Sequence, residues 1–236
     1  MEHTLIIGGT RGIGFAAAQQ LLQAGQHVTV TGLKAANVER ALARLDSPNA
    51  GGAVLDLKDR PGLPKAIAAL GAIDHLVLAA SSDVAWGAFH ALSMDAVIAA
   101  LNMKLIGYLA AAQAALPALA PRGSITFLGG AAGRFALPGT VGLAAVNGAL
   151  EAATRTLAKE MAPRRVNLIS PGLTQTEAYT QMPDTQRVQM FASAAERLPA
   201  GKTGEPHEIA QAVAMCVTNG FITGSVIDVD GGARLN

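Results

Sequence analysis

A glycine-rich motif near the start of the chain has the spacing of a phosphate-binding turn. It is Gly8-Gly9-Thr10-Arg11-Gly12-Ile13-Gly14, and it follows an apolar stretch that ends at Ile7. Glycines at a strand-to-helix turn let the backbone approach a pyrophosphate, whose charge is stabilised by free amide groups and by the helix dipole. Because the motif lies between a predicted strand and a predicted helix, it predicts a dinucleotide-binding site.

The end of the second predicted strand carries a cation where an acid would bind the ribose 2′-hydroxyl of NAD. This run is Thr31-Gly32-Leu33-Lys34, and it contains no Asp or Glu. Lys34 and Arg11 are both expected to face that position, and two cations suit the 2′-phosphate of NADP. The pattern favours NADP(H), and the alternative is that both cations are solvated surface charges.

Residues that follow other predicted strands complete the expected cofactor site. Asp56 follows the third strand, where it could accept a hydrogen bond from the adenine amino group or simply be a solvated loop acid. Ligands of open α/β sheets bind at the carboxyl ends of the strands. We therefore expect the site to include the neighbouring residues Leu33, Leu57, Ala79, Ala80 and Ser81.

Short apolar runs alternate with helix-length amphipathic segments along the whole chain, and this alternation is typical of a parallel sheet with helices on both faces. The prediction is a single α/β domain over residues 1–236 with a doubly wound sheet of about seven strands. The predicted strands are Thr4–Ile7, His27–Thr31, Ala53–Leu55, His75–Ala79, Ser124–Leu128, Val166–Ile169 and Val226–Val229. The predicted helices are Gly12–Gln23, Ala35–Arg44, Leu63–Leu70, Met94–Leu116, Thr140–Met161 and Pro206–Asn219.

One segment, Leu173–Thr203, departs from this alternation. It is polar and is interrupted by Pro183, Pro199 and Gly201. Long irregular loops in compact α/β domains are usually lids or binding elements. The segment is therefore predicted to be a loop that covers the substrate.

Taken together, the motifs resemble the short-chain dehydrogenase/reductase family over nearly the whole chain. The shared features are the Gly8-x3-Gly12-x-Gly14 spacing, Asn102 in Leu101-Asn102-Met103, the run Ser170–Thr176, and the ending Ile222–Gly232. The resemblance implies a single-domain Rossmann-type fold and NAD(P)(H)-dependent hydride transfer to or from a carbonyl. It also implies that the nicotinamide half of the cofactor contacts Pro171, Gly172, and Thr174 or Thr176.

The chain departs from the family at the residues that carry the chemistry. The family uses an asparagine, a serine, a tyrosine that protonates the carbonyl oxygen, and a lysine four residues later that lowers the pKa of the tyrosine and binds the nicotinamide ribose. Asn102 matches the asparagine, whereas Gly130, Leu143 and Asn147 stand at the serine, tyrosine and lysine positions. Asn147 is expected to keep the cofactor contact of the lysine position. The two tyrosines, Tyr108 and Tyr179, are not followed four residues later by lysine.

Four side chains are candidates for the missing chemistry. Asp83, after the fourth strand, could act as an acid or stabilise a cation, or it could be a capping or loop aspartate. Arg134, after the fifth strand, could bind an oxyanion or a substrate carboxylate, or it could be solvated. Tyr179 could supply a phenol or merely pack, and Asn102 would keep the family role of holding a helix distortion and a water.

Hydride transfer and proton transfer are separable demands on a site. Hydride transfer depends on positioning and on the cofactor, whereas a positioned acid contributes a further ~10²–10⁴-fold. A cationic acceptor such as an iminium needs no acid. The hypothesis is an atypical NADP(H)-dependent oxidoreductase that acts on a small organic carbonyl, an imine or another activated acceptor. The alternatives are a non-catalytic NADP(H)-binding sensor and a non-redox lyase, isomerase or cyclase that has kept the pocket.

The composition limits the other kinds of partner that the protein could bind. The chain has 236 residues, 50% of them hydrophobic, with a net charge of +1. This balance predicts a folded domain with a large core and gives no reason to expect nucleic acid or an anionic membrane as a partner. The five histidines lack metal-ligand spacing, so no metal is expected.

Location and assembly are the remaining expectations. The start, Met1–Leu5, lacks the features of a signal peptide, and the single cysteine, Cys216, lies among apolar residues. A cytoplasmic protein is therefore expected, since a reducing compartment agrees with one unpaired cysteine. The family resemblance implies a homotetramer or homodimer, formed by the alanine-rich helices Met94–Leu116 and Thr140–Met161.

Overall fold

A computed structural model describes residues 1–81 and 85–235 of the chain. Seven parallel strands form one sheet in the order β3-β2-β1-β4-β5-β6-β7. The strands are β1 (His3–Ile7), β2 (His27–Gly32), β3 (Ala50–Val54), β4 (Ile73–Leu78), β5 (Leu119–Leu128), β6 (Arg165–Pro171) and β7 (Val226–Val229). The order reverses between β1 and β4, which is where ligands bind in doubly wound folds. The predicted Rossmann-type fold is confirmed.

Helices cover both faces of the sheet, as the alternating sequence predicts. They are α1 (Gly12–Gln23), α2 (Ala35–Leu45), α3 (Leu63–Ala68), α4 (Met94–Ala100), α5 (Gly107–Ala115), α6 (Val141–Glu160), α7 (Asp184–Arg197) and α8 (Pro206–Thr218). Most predicted boundaries differ from these by a few residues. The larger shifts are in β3, which begins at Ala50 instead of Ala53, and in β5, which begins at Leu119 instead of Ser124.

Two apolar layers sandwich the sheet because successive strand side chains point to opposite faces. In β1, Leu5 and Ile7 pack into one layer with Tyr108 and Phe127, whose rings stack with centroids 6.0 Å apart. Ile6, between them in sequence, packs into the other layer, which also contains the buried Cys216. The sheet is therefore covered on both sides, as its nearly continuous apolar strands predict.

The helix predicted over Met94–Leu116 contains an irregular turn. Residues Leu101–Ile106 form a π-helical stretch between α4 and α5. Such stretches frequently occur at functional sites. Among the described residues, Met94–Ala115 is also the one helix long and apolar enough to cross a membrane by length and composition. This is weak evidence, because a core helix passes the same test, and Tyr108 and Ala111 are fully buried against the sheet.

The prediction of an irregular loop over Leu173–Thr203 is wrong for its second half. Helix α7 spans Asp184–Arg197 there, after a 3₁₀ turn at Glu177–Tyr179. No residue of α7 is buried. Because the helix lies on the surface and most of its residues are polar, its sequence lacks the apolar content that marks the core helices.

Candidate functional site

A cleft of ≈ 650 Å³ opens at the carboxyl ends of β1 to β4. It contains most of the residues predicted to bind a cofactor, although they come from separate parts of the chain. These lining residues are Gly8, Thr10, Arg11, Gly12, Ile13, Leu33, Lys34, Asp56, Leu57, Ala79, Ala80, Ser81 and Thr176. The fold therefore brings the glycine turn and the ends of three neighbouring strands to one site.

The glycine turn approaches the neighbouring strand end more closely than any side chain would allow. Gly8 has a φ of +87°, and a Cβ atom placed on it would lie 2.5 Å from the amide nitrogen of Ala80. A Cβ atom on Gly14 would lie 2.3 Å from the carbonyl oxygen of Gly8. Gly14 thus acts by letting α1 pack under the turn, and it is not among the described lining residues. The wall of the cleft beside Ala80 is formed by backbone.

A carboxylate occupies the positive end of α1. Glu177 Oε2 accepts a hydrogen bond from the Gly12 amide at 2.9 Å, and Glu177 Oε1 lies 3.9 Å from Arg44 Nη1. The amide at a helix N-terminus is where an anionic ligand is stabilised. Glu177 therefore competes with any phosphate that binds the same turn.

The opposite wall of the cleft is basic. Arg40, Arg44 and Asn37 from α2 line it together with Arg11 and Lys34. Arg44 lies over the Phe15 ring at 4.1 Å and is paired with Glu177. Sequence reasoning missed Arg40 and Asn37. The sequence feature that could have indicated them is the three-residue spacing of Lys34, Asn37 and Arg40, which places these side chains near one face of a helix.

A buried polar atom also faces this cleft. Thr31, at the end of β2, is fully buried and lines the cleft, and its Oγ1 has no hydrogen-bond partner among the described residues. Buried hydroxyl groups normally have a partner.

The π-helical stretch places a lysine at the end of β5. Lys104 Nζ donates hydrogen bonds to the Gly129 carbonyl oxygen at 2.7 Å and to Asn147 Oδ1 at 3.0 Å. Burial lowers the pKa of Lys104 to about 8. Its neighbour in sequence, Met103, lines the cleft. Lys104 was not a predicted site residue, because the direction of its side chain depends on the π-helical geometry, which the sequence does not reveal.

Asn102 and Arg134 point elsewhere. Asn102 lies in the π-helical stretch, consistent with a helix distortion at that point, but its side chain is exposed and its Oδ1 accepts a hydrogen bond from Arg60 at 2.8 Å. Arg134 donates to Glu151 at 3.0 Å and lies 3.1 Å from Asp228. The hydrogen bond to Glu151, followed by the Asp228 charge, raises the pKa of Arg134. Two acids already neutralise this guanidinium, so the structure gives no support to the oxyanion role.

The two tyrosines are committed to packing. Tyr108 is fully buried, its hydroxyl donates to the Ala80 carbonyl oxygen, and burial raises its pKa far above the ordinary value. Tyr179 packs edge-on against Phe191 of α7, with ring centroids 5.4 Å apart. A phenol with a strongly raised pKa releases its proton poorly, so Tyr108 is unsuited to act as an acid.

The remaining predicted residues lie away from the cleft lining, outside the described residues, or in contact with Lys104. Pro171 ends β6, Gly172 and Thr174 follow it, and none of the three is among the described residues that line the cleft. Thr174 Oγ1 donates to the Gly172 carbonyl oxygen at 3.0 Å, so this hydroxyl is used within the loop. Asn147 is 5% exposed and contacts Lys104. Asp83 lies outside the described residues.

Comparisons with known proteins agree with this geometry over the whole chain. The family model for enoyl-(acyl carrier protein) reductase matches residues 8–234. The short-chain dehydrogenase/reductase ATR9 of Stachybotrys chlorohalonatus is 33% identical over 253 residues, covering 99% of this chain and 97% of that protein. The chain belongs to the short-chain dehydrogenase/reductase family.

Two further family members are similar along their full lengths. Carbonyl reductase family member 4 of Danio rerio is 30% identical over 238 residues, covering 98% of this chain and 97% of that protein. A crystal structure of a small-chain dehydrogenase in complex with NADPH superposes with a TM-score of 0.86 at 36% identity, covering 100% of this chain and 99% of that one. The fold and the oxidoreductase class are therefore those of the family.

The positions where this chain departs from the family pattern lie together in the structure. A Cβ atom placed on Gly130 would lie 2.9 Å from Asn147 Nδ2, and Asn147 Oδ1 accepts from Lys104. Leu143 packs into a small apolar cluster with Ala85 and Val146. An ammonium and an amide are therefore in contact at the position of the family's lysine, and Leu143 at the tyrosine position is packed among apolar residues.

Proposed function

We propose that this protein is an NADP(H)-dependent oxidoreductase that transfers hydride to a small organic carbonyl, imine or other activated acceptor. The observation that carries the cofactor choice is the basic wall of the cleft, formed by Arg11, Lys34 and Arg40. No acid occurs in the run Thr31–Lys34, where NAD-binding relatives of this fold place a carboxylate for the ribose hydroxyl. Arginine and lysine suit the additional phosphate of NADP.

The described residues fit such a cofactor at both ends of the cleft. The close approach of Gly8 to Ala80 leaves backbone groups to face a pyrophosphate, and the Gly12 amide is already used by an anion. Asp56, which follows β3, offers a carboxylate to the cleft. When bound, the reduced nicotinamide supplies the hydride, and the chain's own residues bind, orient and protonate.

The relatives support the same assignment. One similar structure was solved with NADPH, and one relative is described as a carbonyl reductase. We therefore propose that Pro171, Gly172 and Thr176, together with Asn147, lie toward the nicotinamide half of the cofactor, and that Asp56 and Leu57 lie toward the adenine.

Cofactor preference is tested by titrating NADPH and NADH fluorescence with the purified protein. Lys34→Ala and Arg40→Ala should each weaken NADPH binding by about 5–30-fold, since one charged hydrogen bond to phosphate contributes about 1–2 kcal/mol, and should leave NADH binding nearly unchanged. Lys65→Ala, an exposed lysine of α3 outside the cleft lining, is the matched control. Equal losses for both cofactors would refute the phosphate role.

The oxidoreductase class is tested by NADPH consumption. Suitable probes are ethyl acetoacetate as a ketone, 2-cyclohexen-1-one as an enone and 2-methyl-1-pyrroline as an imine. We expect turnover with at least one of them. Tight NADPH binding without turnover on ketones, enones or imines would count against the proposal.

We also propose that the chain assembles into a homodimer or homotetramer through the helices that follow β4 and β5. Ile98 of α4 and Val141 of α6 are 53% and 49% exposed, and these apolar side chains could pack against a second copy of the chain. Light scattering after size exclusion tests this, because a monomer would have a mass of 24.0 kDa.

The proposed location is the cytoplasm. Cys216 is free and fully buried, and burial raises the pKa of its thiol to about 11. A single unreactive thiol fits a reducing compartment. Fractionation of cells that express the full chain tests this placement, and recovery with membranes would contradict it.

A further inference from the structure

Lys104 is an ammonium group held by two neutral oxygens. Its Nζ has three donors, of which one binds the Gly129 carbonyl oxygen and one binds Asn147 Oδ1. Among the described residues, no carboxylate lies within 4.0 Å of it, and its third donor has no acceptor. A part-buried cation held in this way is available to stabilise negative charge that develops beside it.

The fold places this ammonium beside the carboxyl end of β5. Gly129 directly follows β5, and Met103 and Ala80 line the inner part of the cleft. β4 and β5 are neighbours in the sheet, and their carboxyl ends lie on the edge where ligands bind. Lys104 thus lies beside the carboxyl end of β5 and next in sequence to Met103 of the cleft, although it is not itself among the described residues that line the cleft.

The residues at the positions of the family's acid machinery have no proton to give. Gly130 has no side chain, Leu143 is apolar, and the Asn147 amide does not titrate. The described tyrosines are used in packing. Lys104 is the titratable side chain that contacts one of these positions, through Asn147.

Gly130 lies close to the Asn147 amide. A Cβ atom there would lie 2.9 Å from Asn147 Nδ2, closer than real Cβ atoms come to their neighbours. The glycine therefore leaves room for the amide, and the amide directs its oxygen to Lys104. The three residues form one unit, named here the Gly130-Asn147-Lys104 unit.

We propose that Lys104 protonates the substrate oxygen during reduction and that Asn147 is the positioning residue that orients its ammonium. This role rests on the proposed function. The carbonyl carbon gains the hydride, the C=O π pair moves to oxygen, and the oxygen takes a proton from Lys104 Nζ. The ketone becomes an alcohol, the reduced nicotinamide becomes oxidised, and water returns a proton to the neutral amine.

The surroundings of Lys104 suit this role. Burial brings its pKa down to about 8 from the ordinary 10.5, so the ammonium form prevails near neutral pH and still releases its proton readily. General acids work best with a pKa near the operating pH. An exposed lysine would hold its proton too tightly.

The test compares Lys104→Met with Lys159→Met, a matched change at an exposed lysine of α6. Lys104→Met should lower kcat with ethyl acetoacetate by about 100-fold or more, the range that a positioned acid contributes. Reduction of 2-methyl-1-pyrroline at a pH where it is an iminium should fall much less, because an iminium needs no proton. NADPH affinity should be nearly unchanged.

Two further variants keep the test decisive if Lys104→Met does not fold. Lys104→Arg keeps the charge but holds its proton, so it should also lose ketone reduction. Asn147→Leu should lower kcat with ketones and shift the pKa of Lys104, which carbon-13 labelling of lysine follows by NMR, with Lys104→Arg to assign the signal. A merely structural Asn147 would leave that titration in place.

Each outcome decides a different question. Ketone reduction at the wild-type rate in Lys104→Met or Lys104→Arg overturns the acid role and leaves the proposed function intact. Loss of NADPH binding in Lys104→Met makes Lys104 a cofactor ligand instead. A Lys104 titration near 10.5 in the NADP⁺ complex also overturns the role. A wild-type protein that binds NADPH and reduces none of the probes overturns the proposed function, and this inference with it.

Discussion

The two ends of the active-site region differ in what specifies them. At the phosphate end, the glycine turn and the backbone around Gly8 and Ala80 form the binding surface, and they follow from a short contiguous motif. At the reacting end, the Gly130-Asn147-Lys104 unit combines residues from a loop, a helix and a π-helical stretch. A backbone surface tolerates little change, whereas a proton donor can be supplied from another element. One end of the site therefore matches the family motif, whereas the other end departs from it.

The largest expected effect comes from breaking the phosphate end. Gly8→Ala places a Cβ atom 2.5 Å from the Ala80 nitrogen at a φ of +87°. The strain and the clash should lower the free energy of unfolding by about 3 kcal/mol and weaken NADPH binding by about 100-fold. Chemical denaturation and fluorescence titration measure these losses.

The control for Gly8→Ala is Gly25→Ala. Gly25 has a φ of +82°, and a Cβ atom added to it would meet nothing within 4 Å, so only the backbone strain of about 1 kcal/mol remains. Its NADPH binding should be unaffected. If both variants bind NADPH equally well, the close approach of Gly8 to Ala80 does not shape the site.

The second effect is a pH dependence of the free energy of unfolding, caused by Lys104 at the reacting end. The pKa of Lys104 is lowered to about 8 in the folded chain and is 10.5 when exposed, so below about pH 8 both states hold the proton and the folded state bears the buried charge. Between about pH 8 and pH 10.5 the folded chain releases the proton first, and its stability should rise by about 2–3 kcal/mol relative to Lys104→Met.

Denaturation of both proteins across this pH range measures the difference. Lys159→Met should follow the wild-type curve, because that lysine is exposed. Parallel curves for wild type and Lys104→Met would mean that Lys104 titrates as an ordinary lysine.

A smaller effect is expected for Tyr108→Phe, which tests whether Tyr108 is structural or catalytic. Tyr108→Phe leaves the Ala80 carbonyl oxygen without its donor, which should cost about 1–2 kcal/mol of stability. Turnover should persist, since the phenol holds its proton too tightly to act as an acid. Steady-state kinetics check this, and a loss of turnover with unchanged stability would point to a direct role for the phenol.

The smallest effect is a gain at the phosphate end. Glu177→Gln removes the charge that accepts the Gly12 hydrogen bond and competes with a diphosphate. NADPH affinity should rise about fivefold, which corresponds to about 1 kcal/mol at a helix N-terminus, and the gain should shrink as salt is added. Glu160→Gln, an exposed acid of α6, is the control. Weaker binding in Glu177→Gln would show that the carboxylate helps to hold the cofactor.

The sequence was sufficient for the sheet and for the phosphate end because both depend on local patterns. The apolar runs place Leu5 and Ile6 on opposite faces, and the glycine spacing marks the turn. The sequence was insufficient for α7, which has no buried residue. It was also insufficient for Lys104, because the direction of that side chain depends on a π-helical stretch that the residue types do not predict. Asn102 matched a family pattern, yet its side chain contacts Arg60.

The short distance between a Cβ atom at position 130 and the Asn147 amide has a consequence for engineering. A serine introduced alone at position 130 would displace the amide, and the displaced amide would release the ammonium. Restoring the family's serine, tyrosine and lysine one at a time should therefore disturb the Gly130-Asn147-Lys104 unit before the family arrangement is complete. Anyone restoring the family's tyrosine and lysine here should exchange the whole group of residues at once.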